Sequence, residues 1–281
     1  MIIKSNSHFV ISNFNHDPIP LTRYAKTYEI YDQSNDQAII KKLEDMNDPR
    51  IKFSKHVGHN ILDYLNWIIN NWDNLPEVVV FAKGNMIGRH IDKSHWEKIY
   101  LNNHYTFVYS DSLLIDSEAQ YAAWSSDFHE VNNSWFVSHS VHRYFTNTNQ
   151  LLEFLYLRPR FPKYINFAPG ACYIVEKSRI QNKPLSLWIG LREILDYDFF
   201  PSEAWIVERL LHTILFSEQD FQDYVHDKET MLKAISELPD RSAEKVIIEK
   251  SRTEVLRSKV FWKAKSLFSK LSNPVVNNFH Y

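Results

Sequence analysis

Residues 78–82, VVVFA, are continuously apolar and mostly β-branched, the pattern of a strand buried on both faces. Such a strand needs helices on either side of its sheet, and the segment before it predicts one. In HNILDYLNWIINNW, residues 59–72, apolar side chains recur at Ile61, Leu62, Leu65, Ile68, Ile69 and Trp72, which is helical spacing. Gly58 stands just before this helix, and DNLPE ends it by turn chemistry. Upstream, HFVISNF (8–14) and YEIYDQS (28–34) read as two further strands, the first followed by the polar loop NHDPIP. This order of strands and helix predicts an α/β fold: a Rossmann-type mixed, mainly parallel sheet flanked by helices.

Residues 91–164 carry short apolar pieces, YTFVY and SWFVS, among many polar and aromatic residues, and read as short strands and loops covering one end of the sheet. FAPGACYIVEKSRI (167–180) then predicts a Pro-Gly turn, a buried strand and the start of another element. PSEAWIVERLLHTILF (201–216) predicts a helix, with Ile206, Leu210, Leu211, Ile214 and Leu215 on one apolar stripe. At 281 residues and 44 % apolar composition the chain can bury a sizeable core. A single cysteine, Cys172, excludes an internal disulfide framework and a cysteine zinc cluster, and suits a reducing cytoplasm. No apolar run approaches the roughly 20 residues of a membrane span, and no secretory h-region opens the chain.

Charge is unevenly spread. From Lys250 onward seven basic residues face one acid, Glu254, a local balance of +6; since the whole chain carries −2, residues 1–249 carry −8. In TEVLRSKVFWKAKSLFSKL the apolar residues Val255, Leu256, Val260, Phe261, Ala264, Leu267, Phe268 and Leu271 repeat at helical spacing, flanked by Arg257, Lys259, Lys263 and Lys270. That is a basic amphipathic helix, suited to lying on an anionic membrane surface, though a last helix docked on the body has the same pattern. The expected organisation is a body of residues 1–238 and a basic tail of residues 239–281. An acidic body disfavours nucleic-acid binding.

In open α/β sheets, ligands bind beyond the carboxyl ends of the strands. Asn13, Asn15 and Asp17 after the first strand, Asp32 at the second, and Lys83, Asn85, Arg89 and His90 after the third are expected on one rim. Amides and carboxylates suit a uracil edge and ribose hydroxyls, whereas Lys83, Arg89 and His90 suit a diphosphate. In the 201–216 helix, Glu203 is placed for general-base work, although a carboxylate in a first turn is also favoured by the helix dipole. Glu208 and Arg209 read as an ion pair, structural or substrate-positioning. His139 and His142 lack a third ligand at metal spacing. Asp111 and Asp127 do not form an Asp-x-Asp pair. The absence of Walker, G-x-G-x-x-G and G-x-S-x-G motifs disfavours a P-loop NTPase, a standard NAD enzyme and an α/β-hydrolase.

Taken in order, VGHNILDYLNWIINNWDNLPEVVVFAKGN, NNSWF, FAPGACYIVEK and EAWIVERLL resemble a bacterial and fungal family described as a domain of unknown function. That family is similar to GT-A-type glycosyltransferases, some of them acting in cell-surface polysaccharide assembly such as lipopolysaccharide or capsule. The resemblance implies a GT-A-like fold, a nucleotide-sugar donor carrying UDP, and hexose transfer to a glycan or lipid-linked acceptor. It sets FAKGN where related transferases carry Asp-x-Asp, so Lys83 and Arg89 would take the place of a metal. It assigns Glu203 as the base of an inverting reaction and puts Gly170 on the acceptor side with Glu208 and Arg209. The expected enzyme needs no cofactor and sits in the cytoplasm, peripheral to the inner face of the membrane. Two alternatives stay open: a transferase using Mn²⁺ or Mg²⁺ on Asp111 or Asp127, and a non-catalytic nucleotide- or glycan-binding protein on the same fold.

Overall fold

The computed structural model describes residues 2–109, 128–132, 141–162 and 164–244. The amino-terminal half runs β1 (Ser5–Asn13), α1 (Ile19–Thr22), β2 (Ala25–Asp32), α2 (Gln37–Asp45) and β3 (Ile51–Phe53). It continues through α3 (His59–Asn70), β4 (Val78–Lys83), α4 (Lys93–Ile99) and β5 (Thr106–Phe107). Next come β6 (Phe128–Val131), α5 (Thr148–Leu155), β7 (Tyr164–Phe167), β8 (Tyr173–Glu176) and α6 (Lys177–Gln181). Helices α7 (Leu185–Glu193), α8 (Ser202–Phe216) and α9 (Lys228–Ser236) follow.

Six strands form the main sheet in the order β3-β2-β1-β4-β8-β5. Strands β1 to β4 are mutually parallel, while β8 runs antiparallel to both β4 and β5. The sheet is thus mixed and mainly parallel, as its buried strands require. Side chains alternate between two cores, the period-2 rule of a strand. Val10, Val79, Phe81, Tyr173 and Val175 pack on one face with Ile61, Leu65 and Ile68 of α3 and Leu187, Leu191, Ile206 and Leu210 of α7 and α8. Phe9, Ile11, Val80, Ala82 and Ile174 pack on the other with Tyr24, Trp96 and Ile99. Each such buried aliphatic or phenyl group contributes about 1.5–3 kcal/mol relative to exposure.

The region expected to hold only short strands and loops also contains α4 and α5. Each is short, and neither has a long periodic stripe. Asn147 caps α5 by accepting from Gln150 N at 3.0 Å. At the far end, Arg241 N donates to Arg143 O at 2.9 Å. The basic tail from residue 245 onward lies outside the described residues. Among the described residues no helix is long and apolar enough to cross a membrane.

Candidate functional site

The parallel register brings Lys83 beside Ser12 and Asp32 beside Asn13, so β1, β2 and β4 end on one rim. Because β8 is antiparallel, its start pairs with Phe81 near the end of β4. The turn Pro169–Ala171 just before it therefore lands on the same rim. Gly170 in this turn has φ +77°, and a Cβ on it would lie 2.7 Å from Lys83 Cδ and 3.0 Å from His90 Nε2. Only glycine lets the lysine and the imidazole lie against that backbone. Helix α8 closes the space with Ala204, Trp205, Glu208 and Arg209, which share a face at helical spacing.

These elements enclose a cleft of about 520 Å³. Its lining is cationic: half-buried Lys83 and exposed Arg89 from the β4 loop, and buried Arg209 from α8. Among the described residues the carboxylate lining it is Glu208, whose Oε1 accepts from Gly170 N and whose Oε2 lies 3.5 Å from Arg209 Nη1. Burial lowers the pKa of Lys83, and the Glu208 charge opposes that shift. The Arg209 guanidinium sits 4.7 Å from the Phe167 ring centre and 5.2 Å from that of Trp205. Burial first, then the Lys83 and Arg89 charges, push the His90 imidazole down to about 3. Burial and the Lys83 charge likewise hold His59 at about 3, and the same causes lower His16. The cleft thus offers cations and neutral imidazoles, a combination that accepts an anion beside polar but uncharged groups.

Of the residues expected to bind donor or acceptor, Lys83, Asn85, Arg89, His90, Gly170, Glu208 and Arg209 all line this cleft. The remaining expectations require correction. Glu203 is fully buried behind the rim, where Oε1 accepts the backbone N–H groups of Arg143, Tyr144 and Phe145 at 2.9, 2.7 and 3.1 Å. Its Oε2 accepts from Tyr197 Oη at 2.5 Å. A carboxylate so engaged clamps the chain before α5; it is not placed to take a proton in the cleft. Asn13, Asn15, Asp17 and Asp32 staple the strand-end loops and do not line the cleft. Asn13 Nδ2 donates to Asp32 Oδ1 at 2.7 Å and to His16 O at 2.8 Å. Asn15, at φ +54°, accepts from Asn35 N and Asp36 N, and Asp17 pairs with Lys42 at 2.7 Å on the surface.

Phe14, His16, His59, Asn60, Phe200 and Trp205 line the cleft beyond the residues expected there. Their signals were weak but present. GHN sets polar residues at the mouth of an apolar helix, and FFPSEAW packs three aromatics around a helix start. Behind the cleft, Ser12 Oγ donates to Asp63 Oδ2 at 2.6 Å and Gln33 Nε2 donates to it at 3.0 Å; burial pushes this carboxyl up to about 7.

Among the described residues no three His, Cys, Asp or Glu side chains gather as a metal group. Asp111, Asp127 and His139 lie outside the described residues, and His142 is buried. No curated protein matches the chain, and no solved structure does. Residues 25–231 match the family model described as Protein of unknown function (DUF3431), a span holding every cleft residue from Lys83 to Arg209 and all four sequence blocks quoted above. The chain belongs to that family.

Proposed function

We propose that this chain is a GT-A-type glycosyltransferase that moves a hexose from a nucleotide sugar, UDP being the expected nucleotide, to a glycan or lipid-linked acceptor in surface polysaccharide assembly. The observation that carries the reading is that Lys83, Arg89 and Arg209 line one cleft beyond the carboxyl ends of β1 and β4, with Glu208, among the described residues, as its carboxylate. On this reading Lys83 and Arg89 neutralise the diphosphate as charge builds on it, the largest electrostatic need of the step. The bond from the anomeric carbon to the phosphate oxygen breaks, and the departing UDP keeps the electron pair. The acceptor oxygen bonds to the anomeric carbon from the opposite face, through a centre of oxocarbenium character, and its proton passes to Glu208. Glu208 takes the role first expected of Glu203. It is 8 % exposed and lines the cleft; Gly170 N–H holds Oε1, and Oε2, which would take the proton, lies 3.5 Å from Arg209 Nη1.

The basic tail supports a location at the cytoplasmic face of a membrane, where lipid-linked acceptors lie; that part rests on the sequence pattern. The test is transfer from a panel of UDP-hexoses by the full chain and by Glu208→Gln. A positioned base contributes about 10²–10⁴-fold, so kcat should fall at least about 100-fold with UDP binding retained. A Glu208→Gln variant turning over at the normal rate would contradict the assignment, and donation by no UDP-hexose would contradict the activity.

A further inference from the structure

Phosphate recognition by Lys83 and Arg89 leaves one wall of the cleft unexplained. Phe14 lies 5.2 Å from Phe199 between ring centres, and His59 lies 5.8 Å from Phe199 and 4.4 Å from Phe200. Phe200 in turn lies 4.6 Å from Trp205. His59, Phe200 and Trp205 line the cleft as three rings in contact, and Phe14 also lines it, joined to them through Phe199 outside the lining, so the band of rings runs from the β1 loop to the start of α8.

This band is fixed by the backbone. Gly58 N and His59 N donate to Asp198 O and Phe199 O at 2.8 and 3.0 Å, tying the loop that carries Phe199 and Phe200 to the turn opening α3. That turn holds Gly58 at φ +66° and His59 at φ +53°. A left-handed histidine is backbone strain, which is retained where the surroundings enforce it and often at ligand-binding positions. The imidazole of His59, in the band, and that of His90, elsewhere in the cleft lining, are held uncharged at neutral pH, chiefly by burial.

Flat apolar faces next to neutral donors and acceptors match a pyranose, which offers C–H groups on its faces and hydroxyls around its edge. A single nucleobase stacks on one or two rings. The band is longer than that, and its Trp205 end stands one helical turn from Glu208. We propose that the band is an oligosaccharide-binding subsite, in which one sugar ring stacks on Trp205 and Phe200 beside Glu208 and further units run toward His59 and Phe14. That this glycan is the acceptor rests on the transferase reading; that the band binds glycan does not.

The test sets the full chain against immobilised neutral hexose oligosaccharides, with UDP binding followed separately by calorimetry. The wild-type chain should retain members of the panel. Trp205→Ala and Phe200→Ala should each weaken that retention about 10-fold or more while changing UDP affinity less than about 2-fold, and Trp205→Phe should restore most of it. Lys83→Ala should show the reverse pattern. Phe200→Ala, in a loop, reads the wall independently should Trp205→Ala misfold. The proposal is overturned if no oligosaccharide is retained, if the ring variants still bind it, or if they lose UDP as Lys83→Ala does. Ring-dependent glycan binding by a chain that ignores UDP would uphold the subsite and sink the transferase reading.

Discussion

Replacing Glu203 separates a structural from a catalytic carboxylate. Its Oε1 receives three backbone N–H groups within 3.1 Å, and Oε2 receives the Tyr197 hydroxyl. Hydrogen bonds to a charged acceptor contribute about 1.5–3 kcal/mol each, but they are not additive here. The Arg143 and Tyr144 donors are only partly buried and can turn to water, whereas the Phe145 N–H stays buried with no alternative. Glu203→Ala should therefore cost about 3–5 kcal/mol, from one orphaned donor, two weakened ones and a small cavity. Glu203→Gln, which keeps one acceptor oxygen, should cost about 1–2 kcal/mol. Urea titration should show the midpoint falling in that order with an unchanged slope, and Tm dropping by roughly 2–4 °C per kcal/mol. Turnover per folded molecule of Glu203→Gln should stay within about 3-fold of wild type, since general-base loss costs far more. A fully stable Glu203→Ala chain, or a stable Glu203→Gln chain that is inactive, would refute the clamp.

The remaining predictions concern pH and the turn at Gly170. His59 and His90 titrate at about 3 in the folded chain against an ordinary 6.5, so the unfolded chain binds more protons between those values. Their stabilising contribution is full above about pH 6.5 and is lost as pH falls toward 3; His90→Gln should flatten the decline of Tm on acidification. Asp63, pushed up to about 7, acts with the opposite sign, losing stability as pH rises from about 4 to 7, so Asp63→Asn should steepen the acid decline and stabilise the chain at pH 8. Unchanged slopes in both variants would show that these groups are not the ones titrating. Gly170→Ala should cost about 1–2 kcal/mol for its left-handed backbone and push Lys83 aside, weakening UDP binding several-fold in calorimetry.

The α/β layer was legible because VVVFA and the stripe from Ile61 to Trp72 each carry a period that one element alone satisfies. The direction of β8 was not, because YIVE reads the same in either sense and only pairing with β4 decides it. That same pairing brings Gly170 to Lys83, a meeting no local pattern announces. That Lys83, Asn85, Arg89 and His90 reach the rim of the sheet was legible because they follow directly from a recognisable strand. Glu203 was misread because both roles favour an acid in a first helical turn, and the choice depends on Arg143 to Phe145, some sixty residues away. Asn13 and Asp32 share the ambiguity of all strand-end polar groups: they hold either the ligand or the loops, and here they hold each other.

The proposed function requires side-chain cations to do the work of a divalent metal on a nucleoside diphosphate. Calorimetric titration of UDP into the full chain in the presence of EDTA tests it most directly, with Lys83→Ala alongside. The wild-type chain should bind UDP without metal, and Lys83→Ala should lose about 10–100-fold in affinity, the value of one charge-assisted contact. Binding that appears only when manganese is added, or an affinity untouched by Lys83→Ala, would contradict it.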